Sequence, residues 1–424
     1  MITGWCGFPL PQNEQLQWGK LLLLLWLLAT LLVLAAGCKS SPGAIKEQLP
    51  KEQAPRSQAD TVTVPRIGGE PVIKLVRRAT SHGSKPEFLS VTLLPGRGMN
   101  TFQITADIPG KGEISLLNSP SLEAAAKRLI ATGRDRDGNA SFSLGGAFLV
   151  PYANRVLGTL SQDGQTITTN WQGHRLAFPA NGRGSNRFAV HGLILNAKAQ
   201  DLQLHKTLDG QTETAVIHAG DFGGHWLSDT DLSFAIALTG DAVETTVKAK
   251  NVGTVAEPMA IGWHPYFVIP SGDRSQARLH VPAFMIAEAN DAIPTGRLRP
   301  VAGGIYDYRC PSGVPLENHA LDTGFSHFTR TNGNVEVRLT DPKYNYGLRV
   351  EGLSPEIKTV QVYSPEGKPF VAIEDQFNYV DPFGKQWKGR NTGVVTLRPG
   401  QSVSWRVRVA LFIPESTNCP APAN

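Results

Sequence analysis

Cysteine is scarce in this chain, with four in 424 residues: Cys6, Cys38, Cys310 and Cys419. None stands in a Cys-x-x-Cys pair, so a zinc site has no support, and no metal is expected. Lysine and arginine never gather into a block with interleaved aromatics, although the formal net charge is +5. Nucleic acid is therefore not an expected partner. The positive excess fits a solvated surface near anionic lipid or envelope polymers. No internal repeat is present, which excludes repeat architectures. Helical periodicity is almost missing too. The longest apolar run, Leu21 to Ala36, is too short for a comfortable membrane span.

That run, with Lys20 just before it, fits the hydrophobic part of a signal peptide. It ends Leu34-Ala35-Ala36-Gly37-Cys38. Small residues ahead of a cysteine at this point resemble the lipobox of bacterial lipoproteins, although Ala35 stands where leucine is common. The resemblance implies lipidation of Cys38, with residues 1–37 removed and the protein held at a membrane of the cell envelope. A plain secretory signal or signal anchor is the alternative. Residues 38–85 are polar and rich in Gln, Ser, Pro and Lys, and read as a tether. Val72 to Val76 is a candidate first strand within it. The folded domain is expected over 86–416, with a tail at 417–424. Once the leader is gone, Cys310 and Cys419 remain as thiols, and one disulfide between them is possible in an oxidising compartment.

From Phe88 onward the apolar spacing is mostly two. Ser233 to Leu238 alternates, Thr239-Gly240-Asp241 is turn-like, and Thr245, Val247 and Ala249 continue the pattern, which predicts a hairpin. Val335, Val337 and Leu339 alternate again. Near the end, Val403, Trp405, Val407, Val409, Leu411 and Ile413 share one face. One helix is predicted, Ser121 to Ile130, with Pro120 in its first turn and Leu122, Ala125, Ala126 and Leu129 at helical spacing. Many strands and one helix predict an all-β fold, a large antiparallel β-sandwich in a single domain.

The stretch Gly262-Trp263-His264-Pro265-Tyr266-Phe267 stands apart. Pro265 pushes His264 toward extended backbone. An imidazole beside aromatic faces suits a sugar, since rings cover its C–H face and the imidazole exchanges protons near neutral pH. Four other stretches join it: Tyr152-Ala153-Asn154-Arg155 with Gly158 behind, His191-Gly192, Leu321-Asp322-Thr323-Gly324-Phe325, and Ile373-Glu374 closing an apolar run. His218 and His225 have irregular, Gly-rich spacing that does not suit a metal.

These five motifs, in this order, resemble the aldose 1-epimerase (galactose mutarotase) family over roughly Phe88 to Ile413. The closing Leu397-Arg398-Pro399-Gly400 before a long alternating strand is similar as well. The resemblance implies a β-sandwich of the supersandwich type and a cofactor-free interconversion of the α and β anomers of a small sugar. It implies Glu374 as base, His264 as acid, and His191 near the ring oxygen. Asp322 would accept sugar hydroxyls and Arg155 would steady the substrate. Each has a plain structural rival: Glu374 ending a strand, the histidines packing, Asp322 capping a turn, Arg155 lying on Tyr152. A non-catalytic carbohydrate-binding envelope lipoprotein on the same fold is the alternative function. Asp375 departs from the family's usual proline, Leu193 from a second glycine, and Gly110 to Asn139 reads as an insertion. Trp226 and Trp263 are candidates to stack on a sugar. No residue pattern sets the oligomeric state.

Overall fold

Period-two segments become strands here because each has one apolar face to bury. The computed structural model describes residues 64–130, 136–182, 188–415 and Cys419. The leader, Cys38 and the start of the tether lie outside the described residues, as does the tail apart from Cys419.

Two large antiparallel sheets dominate. The larger runs, in spatial order, Ile293–Pro300, Ala283–Asn290, Leu321–Phe328, Thr359–Ser364, Phe370–Gln376, Gly262–Val268, Gly146–Leu149, Asn100–Ile108, Glu87–Leu94 and Ile73–Val76, with Gly112–Ser115 beside Asn100–Ile108. The second runs Gln200–Lys206, Gln211–Gly220, Thr230–Leu238, Ala242–Asn251, Ser402–Phe412, Tyr346–Gly352, Val335–Asp341, Arg278–His280 and Val314–Pro315. Aromatic rings from the two sheets meet between them. Phe148 lies 5.5 Å from Phe234, and Trp263 lies 6.5 Å from Trp405, centroid to centroid. This is the sandwich that the alternation predicts, and one continuous apolar core fills it.

The predicted hairpin forms, with Thr230–Leu238 against Ala242–Asn251 and Leu238 opposite Val243. In the last strand Val403, Trp405, Val407 and Val409 face the core. Ile413 falls beyond the strand and is exposed, so the inward face ends before it. The helix spans Leu122–Ile130, and its cap is Ser121, whose Oγ accepts the Ala124 N–H at 3.1 Å. Pro120 therefore precedes the helix rather than opening it. Ala125 and Leu129 bury against Ile67, Leu94, Phe102 and Leu144 in a small separate core.

One boundary needs correcting. The polar composition of 38–85 predicts a tether up to Lys85, yet Ile73–Val76 pairs with Glu87–Leu94. Leu75 is fully buried there. The candidate strand at Val72 to Val76 thus forms as Ile73–Val76 and belongs to the folded domain, because its one buried leucine finds its partners only across the pairing with Glu87–Leu94. Cys310 and Cys419 are joined by a disulfide.

Candidate active site

The site is laid out by the pleat of the larger sheet. Along Phe370–Gln376, Val371 and Ile373 face the sandwich core. Their neighbour Glu374 must then face the other side. The same parity holds on the flanking strands, where Trp263 and Phe267, and Val360 and Val362, enter the core. His264, Tyr266, Gln361 and Tyr363 are left for the outer face. Trp263 is thus a core residue, with its indole N–H donating to the Gly146 carbonyl at 3.0 Å. Trp226 also packs in the core, against Phe178 and Phe222. The two tryptophans that composition offers for sugar stacking are both spent inside.

Register then aligns the outer residues in two rows. Gly324 lies opposite Gln361, and Gln361 opposite Glu374. Gly262 pairs with Gln376 and Tyr266 with Ala372, so His264, midway between, comes level with Glu374. His264 in turn faces Ala147. The adjacent row holds Asp322, Tyr363, Ala372 and Tyr266. Residues some 110 positions apart in the chain therefore stand side by side.

At the centre His264 Nε2 lies 3.3 Å from Glu374 Oε1, both side chains almost wholly buried. The Gln376 amide donates to Glu374 Oε2 at 2.8 Å. Burial drives the Glu374 carboxyl well above its usual range, and the nearby negative charge of Asp322 adds to this. Burial pushes the His264 imidazole down to about 3, and the Arg155 charge adds to it. Each shift favours the neutral form of its group. The His191 ring meets His264 edge-on at 5.0 Å. Phe142 packs on both, 4.5 Å from His191 and 5.9 Å from His264. Tyr266 also stacks on His264, at 4.6 Å.

Two further groups stand at the mouth. Arg155 donates to Asp322 Oδ2 at 3.3 Å, and Gln361 donates to Asp322 Oδ1 at 2.6 Å. Arg155 also lies over the Phe188 ring at 5.7 Å, not on Tyr152, which is buried against Phe178. Together these residues line a cavity of about 280 Å³, just below the ~300–1,000 Å³ usual for small-molecule sites. A larger hollow of about 580 Å³ lies by Arg278, Arg338 and Phe412 on the second sheet. It contains no such acid–base pair.

All five residues singled out from sequence, Arg155, His191, His264, Asp322 and Glu374, line this one cavity. The loops that deliver two of them have unusual backbone. His191 has φ 64° and Asn154 φ 62°, in the left-handed region that costs a non-glycine residue energy. The His191 N–H donates to the Asn154 carbonyl at 2.9 Å, and the Leu193 N–H to the Val150 carbonyl at 2.7 Å. Gly192 sits between, at φ 76°, and a Cβ there would come 2.4 Å from the Val150 oxygen. Sequence reading missed Phe142, Gln361 and Tyr363. Gln361, polar between Val360 and Val362, is the signal that could have found one of them. Phe142 had no local signal. His218 pairs with Asp231 at 2.8 Å and His225 contacts the Ala177 carbonyl at 2.7 Å, so each has an ordinary partner.

The aldose 1-epimerase family profile matches residues 131–410, about two thirds of the chain. This chain belongs to the aldose 1-epimerase family. Similar solved structures share its fold. A galactose mutarotase-like protein from Clostridium acetobutylicum is 19% identical, over 81% of this chain and 98% of that one, with a TM-score of 0.62. An aldose epimerase homologue from C. elegans is 16% identical over 81% and 99%, at 0.59. Galactose 1-epimerase from Lactobacillus acidophilus is 15% identical over 81% and 99%, at 0.56. Among curated proteins, none matches this family member.

Proposed function

We propose that the protein is a mutarotase that interconverts the α and β anomers of a free aldose. The observation that carries this reading is the Glu374–His264 pair, 3.3 Å apart at the floor of a monosaccharide-sized cavity. Opening a cyclic hemiacetal takes one proton from the C1 hydroxyl and gives one to the ring oxygen. The C1–O5 bond breaks, C1 becomes an aldehyde, and rotation about C1–C2 presents its other face. Reclosure reverses each transfer. One acid and one base therefore suffice, and a pair that shares one proton returns to its starting state after each cycle.

By family resemblance Glu374 takes the hydroxyl proton and His264 delivers one to the ring oxygen. The sugar replaces the missing solvent: a hydroxyl donating to Glu374 favours carboxylate, and a ring oxygen accepting from His264 favours imidazolium. His191, edge-on to His264, holds the ring-oxygen end. Asp322, fixed by Arg155 and Gln361, accepts from sugar hydroxyls. Tyr266 and Phe142 supply apolar faces for C–H groups.

We also place the protein outside the cytoplasm, on a lipid anchor at Cys38. The apolar run ending at Cys38 supports this, and so does the Cys310–Cys419 disulfide, a bond that persists in oxidising compartments.

Polarimetry tests the activity. The full chain is added to freshly dissolved α-D-glucose and α-D-galactose, beside Glu374→Gln and His264→Ala. The wild type should speed the approach to equilibrium, and each variant should lose roughly 10²–10⁴-fold. Binding of an aldose with no acceleration would leave a carbohydrate-binding module in place of the enzyme.

A further inference from the structure

A second hollow lies farther along the same strands, and its lining is basic. It measures about 390 Å³ and is bounded by His327, Arg330, Lys358 and Tyr379, with Glu356 as its one acid. Register separates it from the cavity described above. Between them runs the row Ser326–Thr359–Gln376, all three buried. Lys358 stands three residues from Gln361, about 10 Å at ~3.3 Å per residue.

Several cations elsewhere on the surface are answered by carboxylates. Arg309 is paired with Asp307, Arg297 with Glu288, and Arg408 with Glu244 and Glu351. Around this hollow no carboxylate answers the cations. Among the described residues Lys358 forms no ion pair, and its Nζ lies 5.9 Å from the centre of the Tyr379 ring. Arg330 is held in place by the carbonyls of Gly333, Pro355 and Ile357. His327 has φ 57°, and its Nδ1 is 3.1 Å from the Ser326 hydroxyl. Arg390 stands close enough to act on His327. Glu356 forms no ion pair with any of them. The buried Asp375 lies within reach of the Arg330 charge, but burial holds it protonated up to about pH 8. Tyr379 is rigid, stacked on Trp387 at 5.0 Å.

Like charges gathered around a partly buried concavity repel one another, and burial adds a solvation cost. Both effects are visible. Burial lowers Lys358, and burial together with the Lys358 and Arg390 charges lowers His327. A bound anion would relieve both. We propose that this hollow is a binding site for an oxyanion, a phosphate or sulfate group, held by Lys358, His327 and Arg330. The site is independent of the sugar chemistry at Glu374.

Isothermal titration calorimetry on the full chain tests it, at fixed chloride. Sulfate and inorganic phosphate are the first probes and glucose 6-phosphate is the third. Saturable binding of sulfate is expected, weakened at least about tenfold in Lys358→Met (~1.4 kcal/mol). Sulfate keeps its charge from neutral pH to mild acid, and His327 is lowered from its ordinary value, so sulfate binding should tighten as pH falls from 7.5 to 5.0 and His327 protonates. His327→Asn should lose that dependence. Circular dichroism confirms that each variant is folded, so the result stands whether or not the protein turns over sugar. If glucose 6-phosphate binds more tightly than phosphate and Lys358→Met weakens both, the hollow takes an anion carried on a sugar. Equal binding means a free ion. No saturable binding of sulfate or phosphate, or binding that Lys358→Met leaves unchanged, overturns the proposal.

Discussion

Replacing Asp375 with asparagine should stabilise the protein in alkali and change it little in acid. The reason is the pleat. Because Glu374 faces the cavity, its neighbour Asp375 faces the core, where it is 1% exposed. Neither carboxyl oxygen has a hydrogen-bond partner among the described residues. Room for it exists because residue 352 is glycine; a Cβ there would stand 3.0 Å from Asp375 Oδ1. Burial drives this carboxyl from 3.8 up to about 8, with the Arg330 charge offsetting a little. The folded state thus holds a proton that the unfolded chain releases. A carboxyl raised in this way leaves stability intact below about pH 4. Stability then declines as pH rises, until the folded carboxyl also ionises near pH 8. From pH 5 to pH 9 the loss spans about three pH units, or ~4 kcal/mol at ~1.4 kcal/mol per unit. Asparagine has no proton to lose. Urea unfolding at pH 5 and pH 9, at one ionic strength, should show Asp375→Asn within ~2 kcal/mol of wild type in acid, about one pH unit of the loss being already present at pH 5. At pH 9 the variant should lead by several kcal/mol. Glu257, also raised by burial to about 8, titrates alike in both proteins and cancels. An advantage of Asp375→Asn that is the same at both pH values would refute the reasoning.

Two further substitutions probe the site's supports. Gly192→Ala forces a side chain into the left-handed region and against the Val150 carbonyl. We expect a loss of about 2–4 kcal/mol in urea unfolding together with slowed mutarotation, because His191 is displaced; stability within 0.5 kcal/mol of wild type, on the order of a neutral surface change, would contradict this. Gln361→Leu removes the 2.6 Å bond that orients Asp322. Its KM should rise about tenfold with kcat little changed, as for a lost bond to a charged group, and an equal fall in kcat would assign Gln361 to the transition state instead.

Much of the fold was legible because burial on one face of a strand leaves a period of two in the chain. The hairpin at Thr230–Asn251 and the last strand follow from that pattern, and so does the single helix. The candidate strand at Val72 to Val76 forms as Ile73–Val76, but its membership of the folded domain was not legible, since its pairing with Glu87–Leu94 is what buries it. Three of the five polar residues stood out through local oddities, a histidine before proline, a histidine before glycine and a glutamate closing an apolar run, while Arg155 and Asp322 were legible only as parts of the motif order that resembles the family. Gln361 left a faint mark and Phe142 none, because an aromatic in a loop has no period to break.

What sequence determined by itself is which faces are apolar, where turns fall and which residue types are at hand for proton transfer. Tertiary structure decided the rest. Register, a property of strand pairs and not of any one strand, set Glu374 beside His264 across 110 positions of chain. The shared interior dielectric then moved their proton affinities together. Parity sent Trp263 inward and Tyr266 outward, and it made Asp375 a buried acid next to a catalytic candidate. Pairing and burial are relations between distant segments, so no stretch read alone contains them.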